Sequence, residues 1–379
     1  MFRWFSLQSG IRGGGYLRQI DALRGWAILL VFFFHAWGIS GGSSASEPSL
    51  WFSYVAAGRT GVTLFFVISG FLLSIPWLRA MQSPDIPMPS LKNYYAARVL
   101  RIVPLYYLAV LTACIVSGSW DTGFKAFTFQ VVGFEVFPFS VVWWTLVTEV
   151  QFYLLLPLLI WLLAGGAKRR MIFLLVLVFW AATYVSQVLD NPSDEKVRSY
   201  LLTKSLFGRL PAFLLGMFSA WIFVRARQVP MLSANWISGV GAVAILLALY
   251  VNGMVLQHSV SLGEWRSESN WHQHHTYEAI LWSIVVLVLT LTKPFFYGVL
   301  INPVLAVVGK ISYSLYLWHV PILFYLMYPA KERLGAAFSQ SLTFYLLTFA
   351  ALSLSLLASL FTYKYVELPG LNLKRRLPV

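Results

Sequence analysis

The chain has 379 residues, 59% of them hydrophobic and only 11% charged, with a formal net charge of +14. A water-soluble domain carries roughly a quarter charged residues, so the composition excludes one and indicates an integral membrane protein. The basic residues fall in short groups between apolar runs, with no recognition helix, zinc knuckle or RNA-binding sheet, so no nucleic-acid partner is expected.

Runs long enough to cross a bilayer, about 20 residues each, fall at 22–40, 60–78, 99–118, 141–163 and 171–189, then at 205–225, 235–254, 277–292, 311–328 and 341–363. The expected fold is an all-α, polytopic membrane bundle of about ten transmembrane helices. It forms one domain over residues 1–379, with both termini cytoplasmic. The stretches 124–139 and 294–308 contain Gly or Pro and read as interfacial or re-entrant. The tail before the first run is basic and broken by glycines (Arg12, Gly13, Gly14, Gly15, Arg18), as expected of a retained span and not a cleaved signal. With the N-terminus inside, nineteen of the 28 basic residues lie on inner segments, in keeping with the positive-inside rule. The single cysteine, Cys114, allows no intramolecular disulfide.

The first span carries Arg24 and His35, eleven positions apart in an otherwise apolar stretch. Eleven helical steps return to almost the same face and climb about 16 Å. Arg24 is then expected at one membrane boundary and His35 near or beyond mid-depth, along one stripe. A titratable side chain at that depth is costly, and its default reading is functional. The competing readings are a topological flank for Arg24 and a satisfied core histidine for His35. On the second span, Gly61, Ser69 and Gly70 allow close helix packing or close approach of a ligand.

At the foot of the third span, Arg98 and Arg101 can grip one polyanion together, since guanidinium suits phosphate. A positive-inside flank is again the alternative. Glu149, on the fourth span, is expected about 12 Å below the outer boundary, at a depth similar to His35. Such a carboxylate wants a histidine or arginine partner, or else belongs to a structural ion pair. Arg209 lies near the outer end of the sixth span. On the ninth, Ser312, Tyr316 and His319 share one stripe. The outer-loop string Trp271-His272-Gln273-His274-His275 could share an ion, but no other ligand string stands nearby and no metal is expected. The chain closes with Tyr365-Val366-Glu367-Leu368-Pro369.

Taken in order, these strings resemble the acyltransferase 3 family of membrane carbohydrate O-acyltransferases, over about Arg18 to Pro369. The parts are Arg24 with His35, Phe65-Phe66 with Ser69-Gly70-Phe71, Arg98 with Arg101, Trp144 with Glu149 and Phe152-Tyr153, and Ser312-Tyr313 with Tyr316 and Trp318-His319. The resemblance implies ten spans in a bacterial inner membrane, a cytoplasmic acyl-CoA donor (acetyl-CoA above all) and a carbohydrate acceptor, polysaccharide or lipid-linked, reached from outside. Two features depart from the family. Thr63 stands where an acid often precedes the double phenylalanine, and only about fifteen residues follow the last span. No appended soluble domain is therefore expected, and a separate glycan-assembly protein could take the place of one.

Within that frame Arg98 and Arg101, helped by Arg24, are expected to hold CoA phosphates. His35 is expected to act as general base on the sugar hydroxyl, with Glu149 orienting it. A covalent acyl-enzyme on Ser69 is a variant. Tyr316 and Arg209 are candidates for the oxyanion site, and His319 either binds substrate or ties helices together. The rival class is a glycan or lipid-carrier transporter that uses the same charges as a proton relay.

Overall fold

The computed structural model describes residues 17–40, 49–130, 132–189, 195–226, 235–262, 274–335 and 337–375. The basic tail before residue 17, the loop residues Trp271, His272 and Gln273, and Arg376 lie outside them. Among the described residues every regular element is helical and no strand occurs. In chain order the helices are α1 (Arg18–Ile39), α2 (Leu50–Ala56), α3 (Thr60–Gln82), α4 (Leu91–Ser117), α5 (Trp120–Phe127), α6 (Trp143–Leu163), α7 (Ala167–Leu189) and α8 (Glu195–Lys204). They continue with α9 (Leu206–Ala226), α10 (Asn235–Ser261), α11 (His275–Leu291), α12 (Tyr297–Leu300), α13 (Pro303–Lys310), α14 (Ser312–Gly335), α15 (Gln340–Thr362) and α16 (Leu368–Arg375).

Each of the ten expected spans falls on a helix, but not all ten are long and apolar enough to cross a membrane alone. Among the described residues eight helices are, and a ninth span arises if Tyr297–Lys310 and Ser312–Gly335, bent by 70°, count as one. The remaining helix, α11, has 17 residues. At 1.5 Å per residue it covers about 25 Å, short of the roughly 30 Å hydrocarbon core. The stretch expected to be interfacial at 124–139 holds only the end of α5 and the start of a 3₁₀ turn, Phe139–Val142.

The chain divides into two compact units. The first contains residues 63–91 and 148–302, with 17–20. Here α9 packs on α11, and α11 on α10. Helices α3 and α9 meet backbone to backbone at a reciprocal pair of glycines. A Cβ on Gly70 would overlap the Phe213 carbonyl, and one on Gly216 would overlap the Val67 carbonyl. The close approach lets Phe66 and Phe152 stack on Phe213, with ring centroids 4.7 and 4.1 Å away.

The second unit contains residues 21–62, 92–147 and 303–375. Helix α1 lies against α13 through another such pair: a Cβ on Gly25 would strike the Leu305 carbonyl, and one on Gly309 the Asp21 carbonyl. Helix α14 packs on α15 over an apolar core of Phe32, Ala36, Leu323, Met327, Leu347 and Ala351. The Tyr313 hydroxyl donates to the Ile102 carbonyl of α4 (2.8 Å). Pro104 cannot donate to the Leu100 carbonyl, and Gly370 packs against that same carbonyl.

Candidate active site

Two rungs join α1 to α14 in the second unit. At the lower one Arg24 Nη2 donates to the Ser312 hydroxyl (2.9 Å). At the upper one His319 Nε2 lies 3.1 Å from His35 Nδ1, and the ring centroids are 5.0 Å apart at 62°. Rungs in the same order on both helices mean that α1 and α14 run parallel. The rise between the rungs is about 16 Å on α1 and about 10 Å on α14, and the long arginine side chain spans the difference.

The hydrogen-bond pattern assigns the tautomers of the upper rung. His319 Nδ1 lies 3.1 Å from the Leu315 carbonyl and 2.9 Å from that of Tyr316. Carbonyls only accept, so Nδ1 carries the hydrogen and Nε2 of the neutral ring keeps its lone pair. That lone pair faces His35 Nδ1, which also lies 2.9 Å from the Val31 carbonyl. The hydrogen of His35 therefore sits on Nδ1, shared between two acceptors, and its Nε2 lone pair is left open. His319 is fully buried and His35 half-buried. The arrangement fixes a base atom on His35 and surrounds the cation formed on protonation with two acceptors.

The other expected residues divide between the units. In the second, Arg98 stacks on the Tyr94 ring, its Cζ 4.6 Å from the centroid. Tyr316 donates to the Val142 carbonyl (3.3 Å), and its hydroxyl lies 2.9 Å from that of Thr145. In the first unit, the Ser69 hydroxyl donates to Glu149 Oε1 (2.7 Å). Arg209 is fully buried, and its Nε donates to the Thr203 carbonyl (2.6 Å).

Two acidic residues gain significance that the sequence did not assign them. Glu367, 3% exposed in the π-turn Tyr363–Glu367, accepts from Ser314 (3.0 Å) and lies in the fields of Arg101 and Arg24. An acid at the end of an apolar run was the visible signal. Glu278 of α11, 1% exposed, accepts from Thr63 (3.0 Å), so a buried carboxylate stands beside Thr63. His275 Nε2 donates to the Gly208 carbonyl (2.8 Å) and lies 3.4 Å from the Tyr184 hydroxyl. Among the described residues no group of three or more His, Cys, Asp or Glu could hold a metal ion.

A family model described as "Acyltransferase domain" matches residues 17–363. A Staphylococcus aureus (strain COL) protein named "Putative O-acetyltransferase" is 24% identical over 341 residues, which is 81% of this chain and 51% of that protein. O-acetyltransferase OatA of S. aureus (strain NCTC 8325 / PS 47) is 24% identical over 339 residues, again 81% and 51%. A "Putative acetyltransferase" of Acidianus two-tailed virus is 26% identical over 318 residues, or 80% of this chain and 83% of that one. The chain thus spans about half the length of the staphylococcal relatives it matches. No solved structure matches it.

Proposed function

This chain belongs to the acyltransferase 3 family, and from that premise we propose that it is a membrane O-acyltransferase. It moves an acyl group, acetyl in the first instance, from cytoplasmic acyl-CoA to a hydroxyl of a glycan that is extracytoplasmic or lipid-linked. The relatives named as O-acetyltransferases support the acetyl group, and the setting is a bacterial inner membrane. The observation that carries the reading is the open Nε2 lone pair of His35, held in place by His319 and the Val31 carbonyl.

In this mechanism Arg98 and Arg101, with Arg24, hold the CoA phosphates as guanidinium groups do. The acceptor hydroxyl attacks the thioester carbonyl while His35 Nε2 takes its proton. The tetrahedral oxyanion then collapses, the C–S bond breaks, and the imidazolium returns the proton to the thiolate, giving an ester and free CoA. Base catalysis of this kind contributes on the order of 10²–10⁴ in rate.

One observation favours a second route. A serine hydroxyl donating to a carboxylate is how a nucleophile is activated, and Ser69 stands so to Glu149. Ser69 would then carry the acyl group between donor and acceptor. Intact-protein mass spectrometry after a rapid quench separates the routes, because only the second leaves an acetyl mass on the enzyme.

The activity itself is tested in vesicles, with labelled acetyl-CoA in the lumen and glycan outside. Labelled glycan ester is expected with wild-type protein and is expected to vanish with His35→Ala. Glycan crossing the membrane unmodified, with acetyl-CoA untouched, would instead identify a transporter.

A further inference from the structure

The second unit contains a cavity of about 680 Å³ to which the mechanism gives no role. It opens past the two histidines, at the C-terminal ends of α1 and α14 and the N-terminal end of α15. Trp37 lines it two residues beyond His35, and Lys331, Glu332 and Gly335 line it from the last turns of α14. Its floor is Met327 and Leu347, which belong to the apolar core. Along α14 the floor lies about 12 Å from His319.

The lining is mixed. Trp37 and Phe52 meet edge to face, 5.9 Å apart at 85°, and Gln340 and Ser341 add an amide and a hydroxyl. Lys331 and Glu332 bring one charge of each sign. Thr343, 4% exposed, carries a buried hydroxyl with no hydrogen-bond partner in the protein. A buried polar atom left in that state calls for an explanation, and a ligand hydroxyl provides one. The volume is that of a small-ligand site.

We propose that this cavity is a subsite for an uncharged sugar unit of the acceptor, next to the unit being acylated. The inference rests on the acyltransferase reading for the acceptor's role, whereas the sugar chemistry comes from the cavity. Balanced charge disfavours the polyanionic donor, whose arginines lie at the opposite end of α1. An acyl chain would leave the Thr343 hydroxyl and the Gln340 amide without partners. A platform of aromatic rings with a few polar groups suits a pyranose, which offers both an apolar face and a rim of hydroxyls.

The test measures binding without acetyl-CoA, by equilibrium dialysis against neutral hexasaccharides of glucose, galactose, mannose and N-acetylglucosamine and against the matching monosaccharides. Gly335 lines the cavity and a Cβ there meets nothing within 4 Å, so Gly335→Phe is the variant chosen to plug it. Thr343→Val removes only the hydroxyl. For at least one hexasaccharide, Gly335→Phe is expected to abolish binding and Thr343→Val to weaken it about two- to tenfold, as the loss of one hydrogen bond should. Transfer to the monosaccharide should be unchanged in both variants, because the subsite acts on the neighbouring unit. Equal hexasaccharide binding by wild type and Gly335→Phe would overturn the proposal, as would a wild type that binds none of the four or binds only acidic glycans. Transfer that persists beside unaffected binding removes the subsite alone. Binding lost in the variants of a protein that transfers no acetyl removes the acyltransferase reading alone.

Discussion

The Nδ1 hydrogen of His35 has two acceptors, the Val31 carbonyl and the second imidazole, and the two can be separated experimentally. His35→Ala should lower kcat by about 10²-fold or more while leaving the KM for acetyl-CoA near its normal value. In His319→Ala the ring keeps only the carbonyl, and an intermediate loss is expected. His319→Gln offers an amide oxygen in place of the lone pair and should recover part of it. Equal loss in the two His319 variants would indicate packing and not orientation. Reversing the charge of Arg98 and Arg101 should raise the KM for acetyl-CoA at least tenfold with kcat little altered, whereas a change confined to kcat removes the phosphate role. The sequence marked His35 and Glu149 through the cost of burying them, and His319 through its stripe on one helix. It could not give their partners, because His35 meets His319 across 284 residues and Ser69 meets Glu149 across 80. Nothing local in the chain encodes such pairings.

At the scale of elements, glycines govern the closest contacts. Gly70→Leu would push a branched side chain into the Phe213 carbonyl, where main chain is the obstacle and no rotamer can yield. A loss of about 1–3 kcal/mol is expected, read as a lower midpoint in thermal unfolding of the detergent-solubilised protein. Gly239→Ala is the control. Nothing lies within 4 Å of its Cβ, and replacing a helical glycine should raise the midpoint slightly. Apolar periodicity was enough to find the helices but not their ends. Helix α4 begins at Leu91, eight residues before the expected span, because residues such as Lys92 and Arg98 continue the helix beyond the apolar run. Likewise, hydropathy alone could not show the 70° bend between α13 and α14, because the one residue that separates them, Ile311, is itself apolar and buried.

For the whole molecule, the mechanism requires the donor on one side of the membrane and the acceptor on the other, which makes orientation a prediction. After Cys114→Ser removes the single native thiol, Ser117→Cys at the C-terminal end of α4 should react with an impermeant maleimide on intact cells. Asp85→Cys, between α3 and α4, should react only after permeabilisation. Both positions are exposed, so failure to label reports sidedness and not burial. The reverse pattern would invert the assignment of donor and acceptor faces. Charge placement is the feature of the sequence from which this orientation is predicted, whereas the division into two units depends on contacts between distant segments that composition does not encode.

Apart from the hydrogen bond between the two rings, every hydrogen bond described for His35 and His319 ends on a main-chain carbonyl. Acid–histidine pairs in other hydrolytic or transfer enzymes lose their alignment when the carboxylate is protonated, but peptide oxygens have no proton to gain in any ordinary medium. Alignment through these carbonyls should thus survive a sour medium, so that any activity lost there returns on neutralisation with no lag for realignment.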